Sequence, residues 1–399
     1  MDLGGNLGHL TYSTLVHPGD TWDEMWASLT RYVPAVKQRF APDRRFGVSL
    51  RLSGKSAERL AANAAERARL QAFLDENNMY LFTVNAFPHG PFKGTRVKEL
   101  VYEPDWRTDE RASYTMQVAD ILAEVAPADV APSIQSPPLG FKPRVTGPDV
   151  IDAYTRQVLK TVAHLVGLRE RTGRTVTLAL EPEPACFLEV TSEVIDYFGR
   201  HLYSPASVDA LARQTGLSKP RAEEALRRHL GTVFDICHQA VEYENIAEAL
   251  GSLKRAGVPV FKLQAAAAIR IPQVTQEVVK ALEAYDDPVY LHQTVEMKDG
   301  KLSRFVDLQE AFAAFRSDPG PREWRIHFHV PVFLESLGAL FKTTRPAIEE
   351  ALRVHKADAV STQVEIETYT WDVLPDELKT GDIVDYVVRE LEWVRGELV

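Results

Sequence analysis

Cysteine is nearly absent: the 399-residue chain has two, Cys186 and Cys237. Two cysteines cannot build a disulfide scaffold or a four-cysteine zinc site, so both are read as reduced core thiols. Long apolar runs are missing as well. No uninterrupted stretch approaches the roughly 20 residues that a bilayer span needs, which predicts no direct membrane insertion. The opening Met-Asp-Leu-Gly-Gly-Asn lacks the basic and apolar regions of a signal peptide, and a cytoplasmic protein is expected. Basic residues are in the minority: 46 Lys and Arg against 56 Asp and Glu leave a formal charge of −10. That argues against a nucleic-acid partner, which a basic face would serve. It leaves small acidic ligands open, because a basic pocket can sit on an acidic protein. A Gly-rich phosphate loop after the first strand is also missing. Gly4-Gly5-Asn6-Leu7-Gly8 precedes that strand, which counts against an open doubly wound sheet.

What is present is an apolar content of 45% and a regular alternation of strand and helix. Strands are expected at 8–17, 46–53, 80–87, 130–136, 175–180, 232–235 and 258–264. Amphipathic helices lie between them, among them 22–40 capped by Thr21, 56–77, 109–125, 149–172, 192–202 and 241–256. Such alternation implies parallel strands with right-handed crossovers. A (β/α)8 TIM barrel fits the length and the polar groups at strand ends, with residues 1–399 as one domain carrying insertions. One insertion, near 204–230, is helical. It resembles a helix-turn-helix in pattern but lies between barrel strands. The last third offers more strands than eight slots can take. Lys298-Asp299-Gly300-Lys301 signals a hairpin inserted near 289–306, and 362–369 is read as the last barrel strand. Residues 324–332 fit either a barrel strand or a cap.

Three apolar runs end in ionisable groups: Leu178-Ala179-Leu180-Glu181-Pro182-Glu183, Val233-Phe234-Asp235-Ile236-Cys237-His238 and Val364-Glu365-Ile366-Glu367. A buried strand does not carry a lone charge, because burying one is very costly. These groups are therefore expected to converge on one cation or substrate. Glu181, Asp235 and Glu367, joined by Gln264 or His329, form an oxygen-rich ligand set suited to Mn²⁺, Mg²⁺, Zn²⁺ or Co²⁺. Such an ion polarises a carbonyl and its neighbouring hydroxyl, and a nearby group then moves a proton between adjacent carbons. Glu183 and Lys262 are the candidates for that transfer, with His238 holding the substrate. That chemistry is isomerisation or epimerisation of a small polyhydroxy or carbonyl metabolite. Alternatives stand beside each assignment. Lys262 could be paired with Glu365 as buried support, and His327 and His329 could be two hydrogen-bonded core histidines. The aromatic, basic loop after the third strand offers Lys93 and Arg96 to an anionic group. His17, Asn85, His89, His292, His327 and Trp371 complete the expected substrate pocket.

Longer stretches carry a resemblance. They are Leu-Thr-Tyr-Ser-Thr-Leu-Val-His-Pro-Gly, Phe-Pro-His-Gly-Pro-Phe-Lys-Gly-Thr-Arg-Val-Lys, Phe-Asp-Ile-Cys-His-Gln-Ala-Val-Glu, Tyr-Leu-His-Gln, His-Phe-His-Val-Pro and Val-Glu-Ile-Glu-Thr-Tyr-Thr-Trp. They span about residues 8–375 and resemble the EboE family of metabolite-traffic proteins, itself similar to the xylose-isomerase-like TIM barrels. The resemblance implies a role in an Ebo gene cluster, with other Ebo-cluster proteins as partners in handling a secondary-metabolite precursor. In the wider superfamily a metal is held by Glu, Asp, His and Glu from late strands. Glu181, Asp235 and Glu367 match three of these, and Gln264 stands where the His would be. Two further readings remain: a non-catalytic metabolite carrier, and a metal-dependent phosphoesterase, which calls for more His ligands and a basic face.

Overall fold

The computed structural model describes residues 1–93, 96–370, 379 and 381–399. Seven strands come first: β1 (His9–Tyr12), β2 (Phe46–Arg51), β3 (Met79–Asn85), β4 (Ser133–Ser136), β5 (Thr177–Leu180), β6 (Leu230–Asp235) and β7 (Val260–Ala265). After Ala266 the chain leaves the barrel as β8 (Ala267–Ile271). It then adds β9 (Thr294–Lys298), β10 (Lys301–Phe305), β11 (Glu323–Val330), β12 (Ser336–Leu337) and β13 (Phe341–Thr343). It returns to the barrel as β14 (Gln363–Ile366).

The barrel order is β1-β14-β7-β6-β5-β4-β3-β2, and the paired neighbours are parallel. A parallel bridge between Ser13 and Ser49 draws β1 toward β2, so the barrel is nearly closed. This is the expected (β/α)8 architecture. The surplus strands form a second, antiparallel sheet, ordered β10-β9-β11-β8-β13-β12. Residues 324–332 are thus cap and not barrel. The hairpin signal is also real: Asp299 and Gly300 both take positive φ, as a two-residue turn between β9 and β10 requires. The strand begins at Thr294 rather than Val289, and the hairpin is an edge of the cap sheet rather than a free arm.

Local chemistry explains the helices. Thr21 and Glu24 cap Trp22–Phe40 reciprocally. Gly173, at φ 73°, ends the long helix Pro148–Thr172 in the left-handed conformation. The insertion is two helices, Pro205–Thr215 and Lys219–His229, and both pack on Pro148–Thr172 as part of the barrel wall. Among the described residues no helix is long and apolar enough to cross a membrane.

The last helix, Ile383–Leu398, ties the cap to the barrel through Glu390. This buried carboxylate accepts from Thr368 Oγ1 (2.5 Å) and from the Val332 backbone N–H (3.1 Å). Burial pushes its pKa up to about 7. The folded state therefore holds a proton that the unfolded state gives up near pH 4.5. Stability is fully present below that pH and is lost as pH rises toward 7. Glu390→Gln keeps both acceptor contacts and removes the ionisation. It is expected to leave stability at pH 4.5 unchanged and to raise it by about 2–3 kcal/mol at pH 8. Urea unfolding at the two pH values checks this; an equal effect at both would refute the ionisation as its cause.

Candidate metal centre and active-site cavity

The C-terminal ends of β5, β6 and β14 deliver three carboxylates to one place. Glu181 follows β5, Asp235 ends β6 and Glu367 follows β14, and oxygen atoms of all three lie within 4.8 Å of one another. Each is buried. Glu181 accepts from Gln135 Nε2 at 2.5 Å, and Glu367 accepts from Asn85 Nδ2 at 2.7 Å. Asp235 Oδ1 caps the next helix by accepting from the backbone of Cys237 (2.7 Å) and His238 (3.3 Å). Asp235 Oδ2 has no hydrogen-bond partner. A fully buried carboxylate oxygen without a donor is costly, and a cation is the chemical group that answers it. Burial and the neighbouring carboxylates push Glu181 and Glu367 well above the ordinary carboxylate range, and burial also raises Asp235. Like charges this close favour a proton or a metal ion among them.

Beneath them lies a polar layer. Gln135 Oε1 accepts from Lys262 Nζ (2.8 Å) and Gln264 Nε2 (2.9 Å). Glu365 takes the second bond from each, at 3.1 and 3.0 Å. Both acceptors face the Gln264 amide nitrogen, so its Oε1 is turned away and has no hydrogen-bond partner. A neutral oxygen ligand at that position is chemically suitable for the carboxylate set.

Three imidazoles close the other side. His238 lies in the helix after β6, while His327 and His329 share one face of β11 and descend from the cap. Each ring donates its Nδ1 proton: His238 to Pro182 O (2.8 Å), His329 to Glu367 O (2.6 Å) and His327 to Gln293 Oε1 (2.8 Å). The three Nε2 atoms then face one another at 3.1, 3.3 and 3.0 Å. Burial depresses all three imidazoles, His238 and His329 to about 4, so each is neutral near pH 7. Asp235 Oδ2 is 3.6 Å from His238 Nε2 and 3.8 Å from His329 Nε2.

Glu183 faces the same cavity but is held separately. Tyr102 Oη donates to it at 2.7 Å and Gln293 Nε2 at 3.0 Å. Burial lifts it to about 7 against those two donors. The roof is aromatic. Phe92, from the loop after β3, packs against Tyr290 and Tyr369 with ring centroids 5.1 Å apart in each case. The loop is latched to the inserted segment: the backbone N–H groups of Val97 and Lys98 donate to Val289 O, and Lys98 Nζ pairs with Asp307 at 2.7 Å.

No family model and no curated protein matches the chain. Solved structures do. One is a xylose isomerase-like TIM barrel protein from Mycobacterium smegmatis in complex with magnesium, at 8% identity and TM-score 0.49, covering 98% of this chain and 96% of that one. Another is an L-ribulose 3-epimerase, at 10% identity and TM-score 0.47, covering 98% and 94%. A third is an IolI protein with a bound zinc atom, at 11% identity and TM-score 0.46, covering 98% of each chain. At such identities the likeness is one of fold.

The expected site residues divide. Glu181, Glu183, His238, His327, His329, Glu367 and Asn85 line the cavity; Asp235 and Gln264 do not, but Asp235 adjoins Glu181 and Glu367, and Gln264 is bonded to the lining residue Gln135. Lys262 does not line it; it sits in the layer below, paired with Glu365 at 3.1 Å. Five others are elsewhere. His17 is stacked on Tyr32 (4.3 Å between centroids) and bonded to Tyr12, outside the cavity. His89 packs edge-on against Tyr114. His292 is held by Asp287 (2.6 Å) and stacked on Phe328. Lys93 donates to Val16 O at 2.7 Å, and Arg96 is exposed. Trp371 lies outside the described residues. Gln135 and Gln293 were not singled out from the sequence, yet they hold Glu181 and Glu183. Gln293 follows His292 in the Tyr-Leu-His-Gln motif.

Proposed function

We propose that the barrel mouth is a divalent-metal-dependent active site for isomerising or epimerising a small polyhydroxy or carbonyl metabolite. The observation that carries this is the fully buried Asp235 carboxylate: its Oδ2 has no donor, and the group lies with those of Glu181 and Glu367 so that oxygens of all three are within 4.8 Å of one another. Glu181, Asp235 and Glu367 would hold the ion, with Gln264 Oε1 behind them. When bound, it supplies Lewis acidity toward a carbonyl and the neighbouring hydroxyl. Mn²⁺, Mg²⁺, Zn²⁺ and Co²⁺ all suit such a donor set.

The chain's own residues supply the rest. Glu183, at about 7, is poised both to take and to return a proton. Tyr102 and Gln293 fix the carboxylate that does so. Asn85 and Gln135 orient Glu367 and Glu181. Phe92, Tyr290 and Tyr369 pack into one apolar cluster that lines the same cavity and offers a substrate an apolar wall. Motif resemblance to the EboE family extends the proposal: the substrate is a secondary-metabolite precursor, and other Ebo-cluster proteins are its partners. The three converging imidazoles favour a second reading, hydrolysis of a phosphate ester.

Incubation with hydroxy-ketone and aldose substrates in D₂O, followed by NMR, tests the first reading. The wild type with Mn²⁺ or Co²⁺ is expected to exchange one carbon-bound proton. Glu183→Gln should slow that exchange by about 10²–10⁴-fold. Release of inorganic phosphate without carbon-bound exchange would replace the first reading with the second.

A further inference from the structure

The ion of the proposed function leaves the imidazole triad without a purpose. Each triad member gives its Nδ1 proton to an acceptor that cannot return one: two backbone carbonyls and the Gln293 amide oxygen. The Gln293 orientation is set by its own Nε2, which donates to Glu183 and to Pro184 O. Three Nε2 lone pairs therefore face one another at 3.0–3.3 Å with no proton to share. Lone pairs facing one another at that distance repel. Three nitrogens each about 2.0–2.1 Å from one ion would stand roughly 3.0–3.4 Å apart at angles near tetrahedral or octahedral. The observed triangle is already that size.

We infer that the mouth holds a second divalent ion, bound by Nε2 of His238, His327 and His329, with Asp235 bridging it to the carboxylate ion. The groups of ligand atoms that close to within 4.8 Å support two positions rather than one. Asp235 closes with His238 and His329, and separately with Glu181 and Glu367. Ligands of one ion must all lie within about twice a 2.1 Å bond. Three neutral imidazoles with one carboxylate suit Zn²⁺ or Co²⁺, whereas the oxygen set suits harder ions. Cys237 Sγ also lies near His327 and His329, but it donates to Phe328 O at 3.3 Å. Two of the three nitrogens come from β11. The cap inserted between β7 and β14 thus completes the centre as well as roofing it.

The inference shares only Asp235 with the proposed function. Its test is metal stoichiometry in the full-length protein, stripped with chelator and dialysed against Co²⁺ or Zn²⁺, read by elemental analysis and by the visible Co²⁺ spectrum. The wild type is expected to bind two equivalents. His329→Gln should bind one and lose the intense visible band of nitrogen-bound, low-coordinate Co²⁺. Glu181→Gln should bind one and keep that band. If His329→Gln does not fold, His327→Gln replaces it. A wild type binding one equivalent overturns the second ion. If Glu181→Gln removes that equivalent and His329→Gln keeps it, the proposed function still stands. If only the His variants remove it, the proposed function fails too.

Discussion

Lys262→Met is expected to destabilise the protein by roughly 3–5 kcal/mol, the cost of breaking a buried ion pair from one side. Lys262 and Glu365 are both fully buried, so a charge left unpaired there has no contact with bulk solvent. Lys262 Nζ reaches Glu365 Oε2 at 3.1 Å and Gln135 Oε1 at 2.8 Å. The variant strips a donor from each. Glu365 keeps one bond, from Gln264, which does not neutralise it. Lys262→Met/Glu365→Gln removes both charges and is expected to recover most of the loss. Urea unfolding of the two single variants and the double variant checks the coupling. A single-variant loss below about 1 kcal/mol would sink the idea that this pair anchors the floor of the site. The same variants speak to mechanism. Lys262 lies below the carboxylates and does not line the cavity. Its replacement should act through the positions of Gln135 and Gln264, and so through metal affinity.

The barrel was readable because its determinants are local. Thr177–Leu180 is an apolar strand that stops at two carboxylates, and Thr21 caps the start of the helix Trp22–Phe40. Acidic groups at strand ends follow from the same logic. A strand buried on both faces carries charge where the sheet opens, or deeper where a partner answers it as Glu365 answers Lys262, and three such strand ends did meet. The histidines were harder, since an imidazole's role is set by its partner and not by its neighbours in sequence. His292 reads like His327 along the chain, but Asp287 claims its ring. His17 is claimed by Tyr12 and Tyr32. Gln135 carries no local signal at all. It is one amide in Ser-Ile-Gln-Ser, and only the closure of the barrel sets it against Glu181, Lys262 and Gln264. The cap was ambiguous for a related reason. β8 follows β7 after one alanine, and antiparallel pairing to β11 and β13, dozens of residues on, decides which sheet it joins.

Asp235→Asn should separate function from stability more sharply than any other change, because its two effects have opposite signs. The Asn side chain keeps Oδ1, so the backbone N–H groups of Cys237 and His238 remain capped. In place of the partnerless Oδ2 it puts an amide nitrogen, whose hydrogens point toward Nε2 of His238 and His329, 3.6 and 3.8 Å from the present oxygen. Without metal, a buried carboxylate raised by its surroundings is replaced by a neutral donor facing two lone pairs. The variant is therefore expected to unfold at the same temperature as wild type or higher in chelator. With metal, the order reverses. Wild type gains stability as RT ln(1 + [L]/Kd). The variant lacks the anionic oxygen that both donor sets share, and its affinity should fall by more than about 100-fold, beyond what losing an outer-shell partner costs. Thermal melts with and without Co²⁺ read both halves. Equal destabilisation in chelator and in metal would show that Oδ2 serves the fold alone, and the metal centre would lose its central ligand.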